Sequence, residues 1–218
     1  MTDMTMGEGI ALLQRRGKLV KGLLVAGFFM LILALVGQVA ELDGLVSLDE
    51  RAPAEGLNAL YLGVSVADLG LALTTNVVFC MWIYRAAANV KAARVPGFTF
   101  TPAWAVGWHF VPIANFFRPF QAMRQIWNAS HGGDGASRYR GELLLIGWWG
   151  AWSFSLAVGA VLTAATIDAN SAAEEREAIL LAILYSITNL ILYPLGWRLV
   201  DRITTAQRER LTSAQIFS

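Results

Sequence analysis

Six side chains stand out for chemistry in a chain that is otherwise largely apolar: Asp68, His109, Asn115, Arg118, Asn189 and Tyr193. Asp68 is a carboxylate inside the hydrophobic run 57–84, where a charge is costly and is usually turned inward or paired. Helical spacing sets it in a stripe with Tyr61, Ser65, Ala72, Thr75 and Asn76. Ser186, Asn189, Tyr193 and Gly196 form a second stripe in the run 178–199. Asp68 and Asn189 each lie 11 residues from the start of their runs. The two stripes are therefore expected to face each other, with Asp68 hydrogen-bonded to Asn189 or Tyr193. Polar contact between helices is one reading of such a pair; a proton or cation site is the other.

The remaining three candidates fall in the stretch WAVGWHFVPIANFFRPF, 104–120. Pro112 removes a backbone donor and breaks a helix there. Asn115 has the side chain suited to satisfy the carbonyls or amides so released. His109 and Arg118 are the titratable and cationic groups at its two flanks. The stretch either only builds a turn or contacts a ligand or ion.

Other chemistries find little support. Cys80 is the one cysteine, which rules out an intrachain disulfide and a cysteine metal cluster. His109 and His131 are the only histidines, too few for a three-histidine metal site. Ser153 and Ser155 have no histidine base near them in sequence, and no glycine-rich phosphate loop follows a strand. No catalytic, cofactor-binding or metal-ligating residue is expected, and the expected role is non-enzymatic. A net charge of +1 gives no reason to expect nucleic acid.

The elements that must position these residues follow from composition. Hydrophobic residues make up 56% of the chain and charged residues 15%, against about a quarter charged in soluble domains. Four runs, 22–40, 57–84, 143–167 and 178–199, each approach or exceed the roughly 20 apolar residues that a membrane helix needs. Between Pro102 and Arg118 lie only 15 residues, about 22 Å of straight helix against a hydrocarbon core of about 30 Å. That segment should not cross. Charge agrees: with four spans, every Lys and Arg except Arg51 and Arg176 falls on the side of the two termini, which the positive-inside rule makes cytoplasmic.

The expected fold class is thus an all-α integral membrane protein, with four transmembrane helices plus a cytoplasm-facing re-entrant or interfacial helical segment. Residues 1–21 form an N-terminal cytoplasmic segment, 22–199 the membrane domain and 200–218 a C-terminal cytoplasmic segment. Within the membrane domain, 98–118 is the re-entrant segment and 119–130 an amphipathic interfacial helix. Phe120, Met123 and Trp127 share one face of that helix, and Arg118 and Arg124 would attract anionic head groups.

Phe79, Trp82, Tyr84, Arg85, Ala86 and Asn89, followed by Pro102, Trp104, Gly107, Trp108, Phe110, Pro112, Asn115, Arg118, Pro119 and Trp127, form a long combined motif. It resembles the bacterial membrane proteins grouped as domain of unknown function 4328, over about 57–203. His109 departs from the aromatic or apolar residue expected there. The resemblance implies a bacterial integral membrane protein and supplies no activity; the expected location is the inner membrane, with both termini cytoplasmic. The functional expectation is a protein that binds lipid, a small molecule or a protein partner at the cytoplasmic face. Small residues at Gly22 and Ala26, and at Gly147 and Ala151, would allow close helix contact, including contact between copies. A small channel or transporter built on Asp68 is the alternative.

Overall fold

A chain that meets lipid must satisfy its backbone internally, and for a single segment only a helix does so. The computed structural model describes residues 4–48, 53, 55–132 and 135–216, with side chains described for all of these except 135–140 and 211–216. Six α-helices follow one another: α1 Met6–Leu42, α2 Gly56–Ala92, α3 Pro102–Gly107, α4 Arg118–His131, α5 Gly135–Asp168 and α6 Ala172–Ile216. Two short 3₁₀ turns, Trp108–Phe110 and Ala114–Phe116, link α3 to α4. No strand occurs among the described residues.

Four of the helices, α1, α2, α5 and α6, are long and apolar enough to cross a membrane. At about 1.5 Å per residue, the 37 residues of α1 and of α2 rise about 55 Å, well beyond the roughly 30 Å of a hydrocarbon core. The expected terminal segments 1–21 and 200–218 are, where described, the ends of α1 and α6 rather than separate extensions. Pro194 lies inside α6 without ending it.

The chain packs as two compact units. The first comprises Met1–Gly22, Thr75–Trp149 and Leu195–Ser218; the second comprises Leu23–Thr74 and Gly150–Pro194.

The core of the first unit is built on Leu13 and Val20 of α1, Trp82, Ile83 and Val90 of α2, Met123 and Ile126 of α4, and Leu199 and Ile203 of α6, all fully buried. Three polar side chains, Asn89, Ser130 and Gln207, are buried as completely. Burying them is tolerable because they bond to one another. Gln207 Nε2 donates to Ala86 O and to Ser130 Oγ, both at 3.1 Å. Asn89 Nδ2 donates to Gln207 Oε1 at 3.1 Å and to Gly9 O at 3.3 Å. Ser130 Oγ donates to Ile126 O at 2.6 Å. Gly9 is required here, since a Cβ at that position would stand 2.6 Å from Asn89 Oδ1. Nearby, Trp82 Nε1 donates to Thr204 Oγ1 at 3.0 Å.

α4 matches the expected amphipathic helix, but its apolar face is used differently. Pro119, Ala122, Met123, Ile126, Trp127, Ala129 and Ser130 are buried, while Gln121, Arg124 and Asn128 are exposed. That face closes the core of the first unit and is covered by protein.

In the second unit, Tyr61 is buried and its hydroxyl donates to Glu41 Oε2 at 2.9 Å, tying α2 to α1. Glu41 Oε1 also accepts from Leu48 N, and Asn58 Oδ1 from Ser47 N, so polar side chains hold the connection after α1. Between α5 and α6, Asn189 Nδ2 donates to Ser155 Oγ at 2.9 Å. Phe29, Val36, Leu60, Val66 and Leu69 are each at least 60% exposed, apolar surface on a scale that fits lipid rather than water as the solvent.

Candidate functional site

The described candidate residues fall in two groups, one in each unit. The first begins at the start of α3, where Thr101 is the N-cap and its hydroxyl accepts from Trp104 N at 3.2 Å. Pro102 occupies the first turn, where its missing N–H has no helical partner to lose. α3 lasts only to Gly107, and the Trp104 and Trp108 rings approach to 4.6 Å between centroids.

His109 follows, with Nδ1 3.1 Å from Val106 O. A carbonyl only accepts, so this contact needs the proton on Nδ1. Burial pushes the imidazole below its ordinary pKa, the backbone carbonyls offsetting part of that effect. The ring is therefore neutral near pH 7.

The reversal comes at Pro112–Ile113–Ala114. Ile113 has φ 66° and ψ −52°, and Ala114 N donates to Pro112 O at 2.7 Å. This is a three-residue γ-turn with positive φ at its centre, a strained form, made more so by a β-branched residue. Sequence reasoning assigned Asn115 to satisfy the freed backbone groups. The backbone does that itself: Asn115 N donates to Val111 O, Phe116 N to Ile113 O and Phe117 N to Ala114 O. Asn115 Oδ1 is buried and has no hydrogen-bond partner among the described residues. Trp149 Nε1 donates to Phe116 O at 3.2 Å and anchors the turn to α5.

Arg118 opens α4, with one nitrogen donating to Gln121 Oε1 at 3.2 Å and its guanidinium carbon 5.5 Å from the Trp108 ring centre. Arg124, which the sequence offered with Arg118 as a head-group contact, forms an ion pair with Glu142 at 2.6 Å. Arg118 is thus the freer of the two cations. Around it a set of large apolar side chains stands exposed: Trp104 at 50%, Phe110 at 74%, Ile113 at 78%, Phe116 at 49% and Phe117 at 46%.

The second group surrounds Asp68. Of its predicted stripe, Tyr61 and Thr75 are buried, Ser65, Asp68 and Ala72 are half-buried, and Asn76 is exposed. Asp68 lies within electrostatic reach of the Tyr185 and Tyr193 hydroxyls. The expected hydrogen bond to Asn189 or Tyr193 does not form. Asn189 Nδ2 instead donates to Ser155 Oγ and to Tyr185 O, both at 2.9 Å. Asp68 Oδ1 is buried with no hydrogen-bond partner among the described residues. Tyr193 packs on Gly27 of α1, where a Cβ would stand 2.7 Å from its ring. The stripe spacing put Asp68 and Asn189 at one depth, but depth alone could not say that Asn189 would bond Ser155 and Tyr185 instead.

The family model for a domain of unknown function, DUF4328, matches residues 47–205. The chain belongs to that family. The resemblance read from the motif in 79–127 is thereby upheld. No curated protein and no solved structure matches the chain. In this DUF4328 protein the matched region takes in both groups of candidate residues, and it ends just before Gln207, the residue that joins α6 to α2 and α4.

Chemically, the two groups offer different things. Among the described residues no cluster of three or more His, Cys, Asp or Glu side chains is arranged to hold a metal ion. The first group offers exposed apolar and aromatic surface beside a cation. The second offers a half-buried carboxylate with one buried oxygen unsatisfied. Missed at the sequence level was the buried set Asn89, Ser130 and Gln207; Asn89 drew notice only as part of the combined motif, and nothing in the spacing of the three joins them.

Proposed function

We propose that this protein is a non-enzymatic, multi-pass protein of a bacterial inner membrane, with both termini cytoplasmic, that binds lipid at its cytoplasmic face. The observation that carries the reading is the exposed apolar set Trp104, Phe110, Ile113, Phe116 and Phe117 next to Arg118. In water so much contiguous apolar surface is unfavourable. On a segment too short to span, it is stable where the 98–118 stretch enters the leaflet and returns, with Arg118 at the head groups. Burial of the α4 face supports the same reading, because the helix braces the turn from the protein side and leaves the turn to meet lipid.

A second reading has its own observation. The unsatisfied oxygen of Asp68, near two tyrosine hydroxyls, suits a proton or cation site in a small channel or transporter. One experiment separates the two. Purification in native lipid, followed by mass analysis, should recover stoichiometric phospholipid with the protein. Recovery of none, together with liposome ion flux that disappears in Asp68→Asn, would replace the first reading by the second.

A further inference from the structure

The first unit contains a cavity of about 670 Å³ lined by α4, α5 and α6, a size suited to a small ligand. Its walls combine Trp127 and His131 of α4, Gly141 of α5, and Trp197, Arg198 and Arg202 of α6. None of these residues was singled out for this purpose by the sequence.

Charge favours one kind of ligand. Arg198 and Arg202 are four residues apart and so share one face of α6. Neither has a carboxylate within ion-pair distance among the described residues. Asp201, the acidic residue on the cavity wall, is already committed: Lys21 Nζ binds its Oδ1 at 2.6 Å and lies 5.1 Å from the Trp197 ring centre. Two guanidinium groups on the cavity wall are thus outside ion-pair distance of every described carboxylate. Guanidinium groups donate paired hydrogen bonds that match phosphate oxygens.

A further wall is aromatic. Trp127 is only 5% exposed, and the nitrogen edge of its indole packs against Gly141. Gly141 is what admits the indole here, since a Cβ at that position would overlap the indole nitrogen and its ring carbons. The Trp127 and His131 rings stack at 3.9 Å between centroids with 17° between planes, giving the cavity a flat aromatic wall. Cations and an aromatic wall around one cavity suit an anion carried on an apolar body.

We infer that this cavity binds a phosphate group, with Arg198 and Arg202 neutralising its charge and the Trp127–His131 stack flanking the body that carries it. The inference rests on the lipid-binding reading for its ligand source, a phospholipid head group, and the same chemistry would accept free phosphate. The test uses the full-length protein in detergent, titrated with phosphatidylglycerol, with phosphatidylcholine and with inorganic phosphate, and followed by native mass spectrometry. Wild type should bind phosphatidylglycerol about tenfold more tightly than phosphatidylcholine, a difference within reach of one charge-assisted pair. R198Q/R202Q should abolish that preference, while K91Q/R208Q, which removes two exposed charges elsewhere, should keep it. Displacement of bound lipid by millimolar inorganic phosphate would assign the site to free phosphate; failure to displace it assigns the site to the lipid. Equal loss in both double variants, or no preference in wild type, would overturn the inference. Lipid retained by a wild type whose binding ignores Arg198 and Arg202 would do so while leaving the broader lipid-binding reading intact.

Discussion

His109 shows how much a single residue depends on its surroundings. Sequence alone allows a proton carrier or a ligand. Packing makes it a neutral ring bonded to the last carbonyls of a six-residue helix. Its depressed pKa carries a definite sign. Below the ordinary value of 6.5, the unfolded chain takes up a proton that the folded ring resists. Stability should therefore fall as pH drops through 6.5 toward the ring's own midpoint, and level off below that midpoint. Melting temperatures at pH 7.5 and 5.5 should differ less in His109→Gln than in wild type. The imidazole should titrate below pH 6.5 by NMR, and a midpoint at or above that value would contradict the burial argument. Ile113 teaches the complementary lesson. Its positive φ is sterically disfavoured for a β-branched residue, and no propensity rule would place it at the centre of a γ-turn. Pro112 announced that the backbone would break, but not that Ile113 would bear the strained dihedrals.

At the scale of elements, the existence of the four long helices was legible from apolar run length, because the number of residues needed to cross a bilayer is a property of the run itself. Their extent was not, since α1 starts at Met6 and α6 continues to Ile216, outside the runs 22–40 and 178–199. Nor were the partners of the helices. α4 was readable as amphipathic from Phe120, Met123 and Trp127, yet periodicity reports only that a face is apolar, not whether lipid or protein covers it. Met123 and Ile126 at 0% exposure give the answer. Beside this apolar contact, Gln207 links α6 to α2 and α4, donating to both Ala86 O and Ser130 Oγ and accepting from Asn89. Gln207→Leu leaves the Asn89 amide and the Ala86 carbonyl each one bond short in a dry core. It should cost about 1–3 kcal/mol, the usual penalty for stranding buried polar groups. Denaturant or thermal unfolding in detergent can measure this. A change under about 0.3 kcal/mol would show that the core packs without the network, since surface substitutions commonly stay within about 0.5 kcal/mol.

For the whole molecule, the decisive prediction concerns which side of the membrane each segment meets. On a Cys80→Ala background, single cysteines at Phe100 and Asn128 should both react only with a reagent applied from the cytoplasm. Labelling of Asn128 from outside would mean that the 98–118 stretch crosses, and would sink the re-entrant topology with the charge argument behind it. The family and the number of long apolar helices were readable from sequence. They depend on composition, motif and length, which add up along the chain without reference to any fold. The partners of Asp68 and Asn189, the protein cover over α4, and the joining of Trp127, Arg198 and Arg202 around one cavity were settled only by tertiary structure. Residue spacing says which side chains share a face of one helix. Which face of which neighbour they meet depends on how bulky and small residues interlock, and so Gly9, Gly27 and Gly141, silent in the sequence, select the contacts made by Asn89, Tyr193 and Trp127.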